Sequence, residues 1–270
     1  MSSGNDARRQ WHVLHAAGIG VALAMRLLPR RSRFRAALLL ARAAEPFFRR
    51  TAAYDAQSRL KIDGSREIAL YFVTAALTAN GTEFDPLVTI DGYDGFARLC
   101  RAGGGVLLVQ PHALLTHLQF RTFHDDGLAP VGVNADAQMR LAGTKIPADL
   151  LVPSPTLLVR ARSRLREGRL VCAMIDRAQH FGERTVEVET VNGPVILSRA
   201  LLDVAVRCGA RVAFTDVHVE GSRVIGTIAI GKSDTAAGLM REFAAFVRER
   251  LAARSPAAAG AMQTPLEEAQ

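Results

Sequence analysis

Residues 103–117 read GGGVLLVQPHALLTH. Three glycines interrupt whatever precedes them, and Val106 to Val109 is an apolar run too short for a helix. Bounded by glycine and proline, such a run suits a strand buried on both faces. Gln110, Pro111 and His112 then fall at the carboxyl end of that strand. Residues 112–123 return to helical spacing. A buried strand, a polar turn and a helix in that order make an α/β unit.

The alternation continues outward. Residues 87–91 predict a short strand, and 94–103 a helix stopped by glycines. A strand is expected at 129–134, a helix at 155–168 and a second buried strand, RLVCAMID, at 169–176. Residues 184–191 alternate as a half-exposed strand, and 198–209 predict a helix ended by Gly209. Two strands between 211 and 230 form a hairpin across Gly221-Ser222. Residues 234–254 carry Leu239, Met240, Phe243, Val247 and Leu251 on one helical face. The expected fold is α/β: an open, mostly parallel sheet covered by helices on both faces, spanning residues 51–254. Ligands of such sheets bind at the carboxyl ends of the strands. That selects His112 after the first buried strand and Asp176 and Arg177 after the second.

The amino terminus has a different character. Residues 1–50 hold ten arginines against Asp6 and Glu45, so the whole formal charge of +8 lies there and the rest of the chain is balanced. A body that bound nucleic acid would show its own basic excess, and aromatics for stacking on bases are only 6% of the chain. No nucleic-acid partner is expected. The apolar run from Ala16 to Met25 falls short of the about 20 residues that a spanning helix needs. Beyond Pro29, Leu38, Leu39, Leu40, Phe47 and Phe48 interleave with arginines at roughly helical spacing. This predicts residues 1–50 as an arginine-rich amphipathic arm that lies on an anionic membrane surface. The other reading is a helical hairpin packed on the core with an arginine-coated outer face. Residues 52–80 read as a helix closed by Asn80-Gly81, and 255–270 as a flexible tail. Cys100, Cys172 and Cys208 are too few and too scattered for a disulfide framework, which fits a reducing compartment.

Two blocks carry a family resemblance. GGGVLLVQPHALLTH resembles the motif of the lysophospholipid/glycerolipid acyltransferase superfamily, most closely that of the lipid A late acyltransferases, in which an apolar strand leads to histidine, four residues, then an acid. GRLVCAMIDRAQHFGERTVEVETVNGPVILSRALLDVAVRCGARVAF, residues 168–214, resembles the family's second conserved stretch in order and spacing. The likeness runs over about residues 15–230. It implies a glycerolipid acyltransferase-like fold on the cytoplasmic face of a bacterial inner membrane. It also implies transfer of a fatty acyl group from an acyl-carrier-protein or coenzyme A thioester to a hydroxyl or amine of a lipid-like acceptor. His112 would be the general base, and Asp176 and Arg177 would hold the acceptor's polar or phosphate part. No metal or cofactor is implied.

One position departs from the pattern: His117 stands where the family has its acid. A neutral His117 can accept the Nδ1–H of His112 but brings no negative charge. Three readings follow: a slow or specialised enzyme with His117 as stand-in, an enzyme whose acid has moved to Asp125, Asp126 or Asp176, and a non-catalytic acyl- or lipid-binding protein of the same fold. Arg160, Arg162, Arg164, Arg166 and Arg169 form either a docking face for an acidic acyl carrier protein or a phosphorylated acceptor, or a solvated helix face.

Overall fold

A computed structural model describes residues 20–48, 65–111, 115–133, 143–144, 149–175, 185–190, 193–220 and 222–254. The run Val106 to Val109 is the middle of a sheet. Its strand, β2 (Val106–Gln110), is buried along its whole length. Six more strands share the sheet: β1 (Val88–Asp91), β3 (Val131–Val133), β4 (Asp149–Leu151), β5 (Leu170–Met174), β8 (Arg211–Glu220) and β9 (Arg223–Ile230). Their order is β1-β9-β8-β2-β5-β3-β4. β8, β2, β5, β3 and β4 run parallel, β9 returns antiparallel to β8, and β1 is parallel to β9. β6 (Thr185–Thr190) and β7 (Gly193–Ser198) form a separate antiparallel pair.

Residues 20–25 are helical, and longer helices complete the described frame: α1 (Arg30–Phe48), α2 (Ser65–Ala79), α3 (Tyr93–Arg101), α4 (Thr116–Asp125), α5 (Leu157–Arg166), α6 (Ala200–Cys208) and α7 (Ala236–Arg254). Side chains alternate across the pleat of β2. Leu107 and Val109 pack with Leu157, Ala161, Leu201 and Phe243 of α5, α6 and α7. Val106 and Leu108 pack on the other face with Phe96, Phe120 and Phe123 of α3 and α4. The helices on both faces are therefore the physical reason that β2 carries no polar residue before Gln110. Complete burial of Leu107, Leu108 and Val109 contributes about 1.5–3 kcal/mol each.

Two strands escape the periodicity. β4 has three residues, too few to show a period, and β7 is a continuous run, GPVILS, that its Pro194 disguises as a loop. Pro194 is accommodated because β6 and β7 are both edge strands of a two-stranded sheet. Helix α4 is described from Thr116, four residues later than the sequence period starts.

The glycines before β2 have a specific steric role. Gly105 has φ +71°, and a Cβ there would stand 2.1 Å from the carbonyl oxygen of Leu165. Gly168 has φ +76°, and a Cβ there would stand 2.6 Å from the carbonyl oxygen of Gly103. The turn into β2 and the turn out of α5 are thus locked backbone to backbone. Gly105→Ala is expected to destabilise the fold by about 3 kcal/mol or more, from left-handed strain plus the clash. Gly104→Ala, whose Cβ meets nothing within 4 Å, is the near-neutral control. Urea midpoints of the two variants check this; equal midpoints would show that the contact is not maintained.

Much of the amino-terminal segment enters the body. Phe34, Ala37, Leu38 and Ala41 of α1 share one buried cluster with Ile68, Leu70 and Leu77 of α2 and with Leu115, Leu118, Val217 and Val224. Phe34 stacks on Phe84 with centroids 5.8 Å apart. Arg33 donates to the carbonyls of Met25, Leu28 and Glu83, and Arg26 to that of Asn80. Arg30 pairs with Glu83 and Asp85. Among the described residues no helix is long and apolar enough to cross a membrane.

Candidate functional site

The chain leaves β2 through α4 on one face of the sheet, toward β3. After β5 the order is β6, β7 and then α6, which lies on the opposite face and leads to β8. β2 and β5 are parallel neighbours, and the helices that come after them in the chain lie on opposite faces of the sheet, the arrangement in which open α/β sheets bind ligands at the carboxyl ends of their strands. Gln110 is paired with Met174 in register, and the Ile175 N–H donates to the Gln110 carbonyl at 3.3 Å. Pro111 is buried. His112 is the next residue after Pro111, and Asp176 and Arg177 follow Ile175 in the same way. These three lie outside the described residues.

His117 is described. It sits in the first turn of α4, 9% exposed, against α2. Its ring meets Tyr71 edge to face at 5.5 Å. Its Nε2 lies 3.0 Å from the hydroxyl oxygen of Thr74. That hydroxyl oxygen is also 2.8 Å from the Leu70 carbonyl and 3.2 Å from that of Tyr71. Two oxygen acceptors at 2.8 Å repel unless a proton lies between them, so Thr74 donates to Leu70. The Thr74 oxygen must then accept from His117 Nε2–H. A neutral His117 consequently keeps its lone pair on Nδ1. This is the tautomer that can accept a hydrogen bond through Nδ1 from another donor.

Asp125 and Asp126 lie at the end of α4 away from His117. They close the helix, about 12–13 Å along its axis from His117 at 1.5 Å per residue. Arg121 Nε holds Asp125 at 2.7 Å, and the Tyr93 hydroxyl donates to Asp126 at 2.6 Å. Desolvation first, and the Asp126 carboxylate second, push the Tyr93 phenol well above its ordinary range. His124 is at that same far end, so His117 and His124 do not converge on one ion. Among the described residues no group of three or more metal-type ligands forms.

The structure adds groups that periodicity hid. Gln110 is 1% exposed, and its Oε1 is buried with no hydrogen-bond partner. Gln119 donates to the Thr215 hydroxyl at 2.8 Å, while its own Oε1 is buried without a partner. A buried amide oxygen is satisfied by water or by a polar ligand group, which makes Gln110, at the carboxyl end of β2, a candidate ligand contact. On β8, Val109 pairs with Phe214, so the extended register puts Asp216 level with Pro111. Asp216 is 3% exposed, and its carboxylate lies 3.3 Å from His218 Nδ1. In the sequence TDVHV these two look like the outward residues of a half-exposed strand.

The other chemistry-bearing groups are structural. Burial pushes the Cys172 thiol well above its ordinary range, and mainly burial raises Cys100 to about 12. Neither supplies a thiolate nucleophile near neutrality. On the arginine helix, Arg164 pairs with Glu167 at 3.0 Å, and Arg169 with Asp149 at 3.2 Å. No protein-family model matches the chain, and no curated protein is significantly similar to it.

Proposed function

We propose that the protein transfers a fatty acyl group from an acyl-carrier-protein or coenzyme A thioester to a hydroxyl or amine of a lipid-like acceptor. The observation that carries this reading is the parallel pairing of β2 with β5. The two sequence blocks that resemble the glycerolipid acyltransferases supply these neighbouring strands, and along the chain one leads to Pro111-His112 and the other to Ile175-Asp176-Arg177. In this reading His112 removes the proton from the acceptor hydroxyl as its oxygen attacks the thioester carbonyl. The tetrahedral adduct collapses with loss of the C–S bond, and the imidazolium returns its proton to the leaving thiolate. His117, protonated on Nε2, accepts the N–H of His112 on Nδ1 and holds that ring in place. Arg177 takes a phosphate or other anion of the acceptor, for which its planar fork is suited. Work on such acceptors would place the protein at the cytoplasmic face of a bacterial inner membrane.

A second reading has its own support. His117 is buried, aromatic-packed and bonded to Thr74, which is how a histidine that only packs would look. A non-catalytic acyl- or lipid-binding protein of this fold would need no more.

The test is acyl transfer itself. Purified protein, an acyl thioester and a bacterial lipid extract should give free thiol and an acylated lipid in equal amounts. Arg177→Ala should raise the apparent KM for the acceptor by roughly 10-fold or more, with the donor KM unchanged. Tight acyl binding without thiol release from the unaltered protein would favour the second reading.

A further inference from the structure

Helix α1 is apolar on two opposite faces. The inner face, Phe34, Ala37, Leu38 and Ala41, is buried against α2. On the far side, Leu39, Leu40, Ala43 and Phe47 share one face at 100° per residue. Leu39 is 67% exposed and Phe47 52% exposed. The turn leading into the helix adds Leu27, 88% exposed. Six of the nine large exposed apolar side chains among the described residues fall within 20–48. The core does not need this second face, and water disfavours it.

The arginines of the same segment divide into two groups. Arg26, Arg30 and Arg33 are used inside the fold, on Asn80, Thr82, Glu83 and Asp85. Arg31, Arg35 and Arg42 make no hydrogen bond or ion pair among the described residues. Spaced at i, i+4 and i+11, they line one flank of the outer apolar face. Among the described residues no acidic side chain answers them on that flank.

We propose that the outer face of α1 is a docking face for an anionic lipid surface. Leu39 and Leu40 enter the headgroup–acyl boundary, and Arg31, Arg35 and Arg42 lie against lipid phosphates. The charge selects this occupant. A second copy of the chain would bring two arginine rows together, whereas an anionic bilayer neutralises both the row and the surplus charge of residues 1–50. The face is part of a helix packed into the body, so docking fixes the orientation of the whole domain on the membrane. Docking goes beyond acyl transfer and does not depend on turnover.

The experiment is vesicle co-sedimentation of the full chain, with phosphatidylcholine vesicles containing or lacking phosphatidylglycerol. The unaltered protein should bind the anionic vesicles and lose affinity as salt rises. The triple variant Arg31→Gln, Arg35→Gln, Arg42→Gln should bind them roughly 100-fold more weakly, about 1 kcal/mol per arginine. Leu39→Asn with Leu40→Asn should weaken binding at least about 10-fold and leave circular dichroism unchanged. Arg162→Gln with Arg166→Gln, exposed arginines elsewhere, should bind as the unaltered chain does. Undiminished binding of the triple variant, or equal binding to neutral vesicles, overturns the proposal. So does a dimer that the Leu39/Leu40 variant dissolves, because a second copy would then own the face. Failure of acyl transfer in solution would bear on the proposed reaction and leave this result untouched.

Discussion

His112→Ala is expected to lower acyl transfer by about 10²–10⁴-fold, the range for a lost general base, while the folded state and acyl-thioester binding persist. The alcohol of a lipid acceptor is a poor nucleophile at neutral pH, and its attack on a thioester needs the proton removed as the bond forms. In the proposed reaction the base is His112, which follows Pro111 in the chain at the carboxyl end of the buried strand β2. Circular dichroism and binding of a non-transferable acyl thioether analogue serve as controls. Unchanged transfer by a folded His112→Ala protein would remove histidine-dependent acyl transfer as the function. Turnover absent from both proteins, with analogue binding intact, would favour the acyl- or lipid-binding reading.

The frame of this fold was legible where burial forces a composition. β2 and β5 are covered by helices on both sides, so β2 had to be apolar up to Gln110 and β5 along its length, and glycines with positive φ precede them. The hairpin of β8 and β9 was legible for the same reason, two apolar runs around a turn. β4 and β7 were not, since three residues hold no period and Pro194 reads as a break. The amino-terminal segment was legible only in part. Composition revealed an amphipathic helix with arginines, but not that Phe34 and Leu38 belong to the core while Leu39 and Leu40 face outward. Adjacent letters in a helix point about 100° apart, and where both sides carry apolar residues the pattern does not say which of them is buried. At the site, strand ends could be located by sequence, whereas partners across elements could not. Thr74 lies 43 residues before His117, and nothing in the run SREIALYFVTAALTA marks it as a histidine's partner. The distance of Asp125 and Asp126 from His117 is likewise a property of helix length, invisible to a search for the nearest acid in sequence.

Substitutions at His117 should separate its two roles. His117→Ala removes the donor to Thr74 and the edge contact with Tyr71 from a site only 9% exposed, so stability should fall by about 1–3 kcal/mol. If His117 holds the ring of His112, transfer should also fall by roughly 10-fold or more at temperatures where the variant is folded. His117→Glu restores an acceptor and adds the charge that the family pattern has at this position. A carboxylate beside His112 favours the imidazolium formed during proton abstraction, so transfer should equal or exceed that of the unaltered protein. Stability should still drop, because a carboxylate there is desolvated and Thr74 must turn its hydroxyl from Leu70 to meet it. Thr74→Val isolates the tautomer. It keeps the volume, removes the acceptor of Nε2–H and frees the proton to move to Nδ1, where a protonated nitrogen cannot receive the N–H of His112. Transfer should fall with little loss of stability, and Thr74→Ser should restore it. The ¹⁵N shifts of the His117 ring report the tautomer directly, with Nε2 protonated in the unaltered chain. A relocated acid predicts a different pattern: His117→Ala neutral in rate, and Asp216→Asn damaging, since Asp216 is the buried carboxylate level with Pro111. A histidine that only packs predicts stability losses with no change in rate in any of these variants. Rates and urea midpoints measured on the same preparations distinguish the three. A His117→Glu protein that is folded, stable and slower than His117→Ala would exclude His117 as the stand-in for the family's acid.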